Sequence, residues 1–194
     1  MWNTRVRCAA ILALIPLLLS GCVTFPAIVA SPETTIVLIR HAERDPGADP
    51  PLLPEGARRA EALRDALCDS GVSAVYCTDL LRNRQTVAPL CEKLGIEPVL
   101  IDPRTYSDVA AAAEALIDRM LKDHPGRVVL FCGNSGHAPN VGITTAIYNR
   151  LGGLGIGPDG YGQLYMIDVF GDGVRSVRRY GIARLRYGEP SSMP

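Results

Sequence analysis

The chain has 194 residues, 47% hydrophobic and 21% charged, the composition of one globular domain with a proper core rather than of a disordered or fibrous chain. Twenty basic and twenty acidic residues cancel, and without the first 22 residues the balance is eighteen against twenty, so charge gives no reason to expect nucleic acid as a partner. All the basic residues except Lys93 and Lys122 are arginine, whose planar fork suits phosphate better than an ammonium does.

Residues 1–22 predict a targeting segment. Arg5 and Arg7 precede an apolar run from Ala9 to Leu19, followed by Ser20, Gly21 and Cys22. The run is about a dozen residues, broken by Pro16, and a bilayer span needs ~20, so export is the expectation rather than a membrane helix. The stretch "LSGC" resembles the lipobox of bacterial lipoproteins, which implies lipidation of Cys22 and attachment to the cell envelope. Val23 in place of an aspartate turns the expectation toward the outer membrane, facing the periplasm. Residues 23–33 carry two prolines and no periodicity and read as a tether.

From residue 34 the pattern alternates strand and helix up to residue 188, leaving 189–194 as a tail. "TIVLIR" is a continuous apolar strand. "PEGARRAEALRDALCDSG" places Ala57, Ala60, Leu63, Ala66 and Leu67 on one helical face and stops at Gly71. "VSAVYC" is a second strand, "LLRNRQTVAPLCEKLG" a second helix ending at Gly95, and "EPVLID" a third strand. A third helix is expected from Asp108 to Asp123, a fourth strand in "RVVLFCG", and a fourth helix from Pro139 to Arg150. Six of the residues from Gly152 to Gly162 are glycine; with no lysine or helix start after them, they read as a mobile loop and not as a phosphate cradle. "QLYMIDVF" and "VRSVRRYG", joined by "GDG", read as a closing hairpin. Strands apolar on both faces and alternating with helices predict an α/β three-layer sandwich, a mostly parallel sheet covered by helices on both sides.

In such a sheet ligands bind where the strands end at their carboxyl edge. Two polar clusters are expected there: Arg40, His41, Glu43 and Arg44 after the first strand, and "GNSGH", Gly133 to His137, after the fourth. Arg82 follows the second strand. A histidine flanked by guanidiniums is repelled from its protonated form, which leaves a neutral nucleophile near pH 7, and the arginines suit the oxygens of a phosphate. Together they describe phosphoryl transfer to nitrogen, a logic that calls for no metal and no cofactor.

"LIRHAER" resembles the Arg-His-Gly motif of the histidine phosphatase superfamily, whose fold is phosphoglycerate mutase-like. "DPPLLPEGARRAEAL" and "VYCTDLLRNRQTVAPL" are similar to the segments that follow it, and "YGQLYMIDV" to "RRYG" to the terminal hairpin of small bacterial members. The resemblance implies a phosphatase of small phosphorylated substrates, with His41 as the residue that becomes phosphohistidine, Arg40 and Arg82 as phosphate ligands, and Arg44 at the pocket mouth. It also marks a departure: relatives carry a second histidine where "GNSGHAP" has Asn134, with His137 three residues further on. Asn134 or His137 would then be the second phosphate ligand, with Ser135 beside them. Glu43 and Asp108 are candidate proton donors, Asp108 being equally readable as a first-turn helix carboxylate. A catalytically degenerate, phosphate-binding member is the alternative. A serine hydrolase centred on Ser135 lacks the glycine and the later histidine it needs, and His41, His124 and His137 form no zinc motif. Cys68, Cys77, Cys91 and Cys132 allow three disulfide pairings that the sequence does not rank.

Overall fold

The computed structural model describes residues 34–105, 107–137, 140–170 and 179–190. The targeting segment with Cys22, the tether and the "GDG" turn lie outside the described residues.

Six strands form one sheet in the order β3-β2-β4-β1-β7-β8, with β1 Thr34–Arg40, β2 Val72–Thr78, β3 Val99–Ile101, β4 Val128–Gly133, β7 Gln163–Phe170 and β8 Arg179–Arg186. The first four run parallel; β7 joins β1 antiparallel and β8 joins β7 antiparallel. The buried strands alternate between two cores. Ile36, Leu38, Tyr76, Val129 and Phe131 face one, with α3 (Val109–Asp123) and α4 (Ile143–Arg150). Val37, Ile39, Val75, Cys77, Leu130 and Cys132 face the other, with α1 (Pro54–Leu67) and α2 (Leu81–Leu94). A strand of period two between two helix layers buries every residue, hence its unbroken apolar run. The chain therefore has a mixed α/β fold of three layers, with the central sheet predominantly parallel.

Gly95 ends α2 in the left-handed conformation at φ 66°, as its position predicts. Elsewhere the structure corrects the reading. The buried face of α1 is Gly56, Arg59, Ala60, Leu63 and Leu67, whereas Ala57 and Ala66 are exposed: the true stripe follows the i, i+3, i+4, i+7 spacing and contains a charge. The fourth helix starts at Ile143 rather than at Pro139, because Gly136–His137 and Asn140–Val141 form a two-residue antiparallel ladder, β5 and β6. Gly136 permits it with φ 70°, where a Cβ would stand 2.3 Å from the Asn140 carbonyl oxygen. The final strand is Arg179–Arg186, eight residues in register with β7 and displaced from the predicted one.

Cys68, Cys77, Cys91 and Cys132 are free thiols. Cys77 and Cys132 are register partners on β2 and β4 inside the α1–α2 core, and burial pushes the Cys77 thiol up to about 12 and that of Cys91 up to about 11. They behave as small apolar side chains.

Candidate active site

Strands β1 and β4 are neighbours, and Arg40 stands opposite Gly133 at their shared carboxyl end. The two polar clusters thus occupy one rim of the sheet, and α2, which follows β2, brings Arg82 to it. The link between these segments is specific. Thr86 on α2 accepts the Ala42 amide through Oγ1 at 2.9 Å while its hydroxyl donates to the Arg82 carbonyl at 2.7 Å. Gln85 accepts the Leu52 amide at 2.9 Å. The "RNRQT" sequence therefore fixes the backbone of the turn that carries the histidine.

His41 is 2% exposed. Its Nδ1 lies 2.8 Å from the Ala42 carbonyl oxygen, which can only accept, so Nδ1 carries the proton and Nε2 keeps its lone pair. Burial lowers the imidazole from its usual value to about 4; the Ala42 carbonyl opposes that shift, and the fields of Arg40, Arg82 and Arg44 add to it. At neutral pH the ring is uncharged and of fixed tautomer, with the Nε2 lone pair available.

The three arginines share an unusual condition. Arg40 Nη1 donates to the Asp159 carbonyl. Arg44 Nη1 donates to the carbonyls of Asp45 at 2.7 Å and Gly47 at 3.2 Å. Arg82, 7% exposed, uses Nη1 on the Ala48 carbonyl at 3.1 Å and on Asp49 Oδ1 at 3.2 Å. Yet the Nε atom of each is buried and has no hydrogen-bond partner. A buried donor without a partner costs about 1–3 kcal/mol, and three such atoms around one histidine offer their hydrogens to an anionic acceptor. Desolvation, then the neighbouring Arg44, lowers the Arg82 pKa, with Asp49 opposing them; the guanidinium nonetheless stays charged.

Glu43 stands apart from this group. It is fully buried and accepts from Arg59 Nε at 2.9 and 2.7 Å and from Arg59 Nη2 at 2.5 Å. Arg59 also donates to the carbonyls of Glu189 at 2.9 Å and Tyr187 at 3.3 Å. Gly56 lets α1 come this close, since a Cβ there would lie 2.1 Å from the Glu43 carbonyl oxygen. Glu43, expected at the pocket or as proton donor, is instead half of a buried ion pair that holds the histidine's turn on α1. Asp108, the other expected donor, caps α3 by accepting the amides of Ala110 at 2.8 Å and Ala111 at 3.3 Å.

The segment after β4 is occupied with itself. Asn134 is exposed, and its Oδ1 accepts the Gly136 amide at 3.1 Å. His137 is exposed in β5, paired with Asn140. Ser135, expected near substrate, is buried and donates to the Pro158 carbonyl, while its own carbonyl accepts from Thr145 Oγ1 at 2.8 Å. It anchors the glycine-rich segment instead. That segment, read as a mobile loop, is tied down over the site: the Gly157 amide donates to Thr145 Oγ1 at 3.0 Å, and the Tyr161 ring lies 4.7 Å from the Arg40 guanidinium and 6.0 Å from the imidazole of His41. The aromatic ring beside His41 is thus Tyr161. Tyr161, Asp49, Arg59 and Thr86 are site residues that sequence reading missed, and only Thr86, inside the "RNRQT" segment, carried a signal.

Among the described residues no group of three or more His, Cys, Asp or Glu side chains could hold a metal ion. What the arrangement can do is bind a tetrahedral oxyanion on guanidinium donors in front of a neutral imidazole nitrogen.

No curated protein matches the chain in sequence. In fold the chain is similar to a mycobacterial glucosyl-3-phosphoglycerate phosphatase in complex with VO3, at 17% identity and TM-score 0.60 over 76% of this chain and 96% of that one. It is similar to the protein histidine phosphatase SixA in complex with tungstate, at 14% identity and TM-score 0.59, over 78% and 96% of the two chains. SixA from Agrobacterium tumefaciens is similar at 20% identity and TM-score 0.56, over 81% and 99%. Residues 36–105, which hold β1, His41, all three arginines, α1 and α2, match the model of the histidine phosphatase superfamily, branch 1. The family match thus lies in that segment, and over most of the chain the likeness to the solved structures is one of fold.

Proposed function

We propose that the chain is a phosphatase that hydrolyses phosphomonoesters through a phosphohistidine on His41. One observation carries the reading: three buried guanidinium Nε donors without partners surround an imidazole held neutral with Nε2 free. The phosphoryl oxygens of a substrate supply the missing acceptors, and Nε2 attacks phosphorus in line with the departing oxygen. Charge on the transferring group is neutralised by Arg40, Arg44 and Arg82, so this scheme needs no metal. Two structural neighbours are described in complex with the oxyanions VO3 and tungstate, which supports an oxyanion as the ligand of the same rim here.

The chain acts, on this reading, at the cell envelope, exported by residues 1–22 and anchored by lipid on Cys22; the support for this part is the amino-acid sequence alone. A second reading, a member that binds a phosphorylated ligand without turnover, is favoured by Asn134, an uncharged amide whose Oδ1 accepts from Gly136 and which replaces a charged phosphate ligand of relatives. Losing one such donor costs about 10²–10³ in rate. Hydrolysis of p-nitrophenyl phosphate by the full chain in detergent, beside His41→Ala, decides between them. Turnover by the wild type that the variant lacks is the expected result; equal signal from both proteins removes the catalytic reading.

A further inference from the structure

Transfer of a phosphoryl group to His41 leaves an oxygen that needs a proton. Neither expected donor is placed to give one, since Glu43 holds Arg59 and Asp108 caps α3. The geometry points to Asp159, in the glycine-rich segment, as the group that protonates the leaving oxygen; this rests on reading His41 as the nucleophile. The Asp159 carbonyl accepts from Arg40 Nη1, and its amide donates to Gln163 Oε1 at 3.1 Å. The residue before it is tied to Ser135 and the one before that to Thr145. Two positions on, Tyr161 lies against both Arg40 and His41. Residue 159 is therefore held through its backbone from several sides next to an arginine of the anion site, and the residue is exposed.

In the first step the His41 Nε2–phosphorus bond forms, the phosphorus–oxygen ester bond breaks, and the alkoxide takes the Asp159 proton, giving alcohol, phosphohistidine and the Asp159 carboxylate. In the second, water attacks phosphorus and gives a proton to that carboxylate while the nitrogen–phosphorus bond breaks. Phosphate leaves, and neutral His41 and protonated Asp159 return.

The test compares two substrates. An alkyl phosphate such as β-glycerophosphate expels a strongly basic alkoxide; p-nitrophenyl phosphate expels a stable phenolate that needs little help. Asp159→Asn should lower kcat/KM for the alkyl ester by about 10²-fold or more and for the aryl ester by less than about tenfold, while Tyr161→Phe keeps the wild-type ratio between the two. An equal loss on both esters, no loss on either, a selective loss in Tyr161→Phe instead, or a wild type active only on the aryl ester each overturns the role of Asp159. Absence of His41-dependent activity on both esters overturns the nucleophile reading itself, and this assignment with it.

Discussion

The turns that follow β1 and β4 lie side by side on one rim and treat their polar groups in opposite ways. After β1, His41 is buried and neutral and the arginines around it keep donors without acceptors. After β4, Asn134 bonds its own loop, Ser135 bonds the glycine-rich segment, and His137 is exposed. The first turn stores unsatisfied hydrogen-bonding capacity, which is destabilising and therefore needs a function to explain it. The second engages Asn134 Oδ1 and the Ser135 hydroxyl with backbone groups, and through Ser135 it positions the loop that carries Asp159 and Tyr161. A similar contrast runs between arginines: Arg59 is fully engaged by Glu43 and two carbonyls, whereas Arg82 keeps a buried donor free. Burial of arginine alone does not mark a site; burial with an unfilled donor does.

The contrast is broken most forcefully at Glu43. Removing one partner of a buried ion pair costs about 3–5 kcal/mol, so Glu43→Ala should lower the urea midpoint by a corresponding amount, with Arg59 left charged and only Glu55, at 4.0 Å, to offset it. A stability near wild type would mean that the pair does not hold the turn. Arg82→Met should instead lose about 10²–10³ in kcat/KM with a smaller change in midpoint than Glu43→Ala, because its folded-state bonds are one carbonyl and the exposed Asp49 while its Nε is left unfilled. A large stability loss with activity per folded molecule intact would reverse the two roles.

The state of His41 gives a pH signature. Its pKa of about 4 lies below the unfolded value of 6.5, so the unfolded chain binds the proton first as pH falls. The stability associated with a neutral buried ring is complete above pH 6.5 and is lost as pH falls toward 4. Chemical denaturation of the wild type beside His41→Gln over that window should show the wild type losing stability relative to the variant. Parallel curves would place the ring in solvent. The smallest effects are expected after β4: Asn134→Ala and His137→Ala should each change kcat/KM and stability by no more than about 0.5 kcal/mol, as exposed residues without such partners do. A large loss of activity from either would bring the second turn into the chemistry.

Much of this was legible because it is local. Apolar strands running into Arg40, His41 and Arg44, and helices punctuated by Gly71 and Gly95, announce themselves within windows of a few residues. What stayed hidden depends on distant pairing. Arg59 looks like the solvent face of α1 until Glu43, sixteen residues earlier, is seen to neutralise it. Glycine spacing in 152–162 suggests mobility, and nothing local shows that Arg40, 119 residues away, holds it. The helix expected at Pro139 yields to a ladder fixed by the positive φ of Gly136. In each case local propensity was outweighed by a contact that folding alone creates.

The most direct measurement is capture of the intermediate. A radiolabelled phosphoester mixed with the full chain and quenched rapidly in alkali should leave label on the peptide containing His41, stable to base and lost in acid, and none on His41→Gln. Label of equal amount on both proteins, label that survives acid, or no label during demonstrable turnover would contradict phosphoryl transfer to the neutral imidazole.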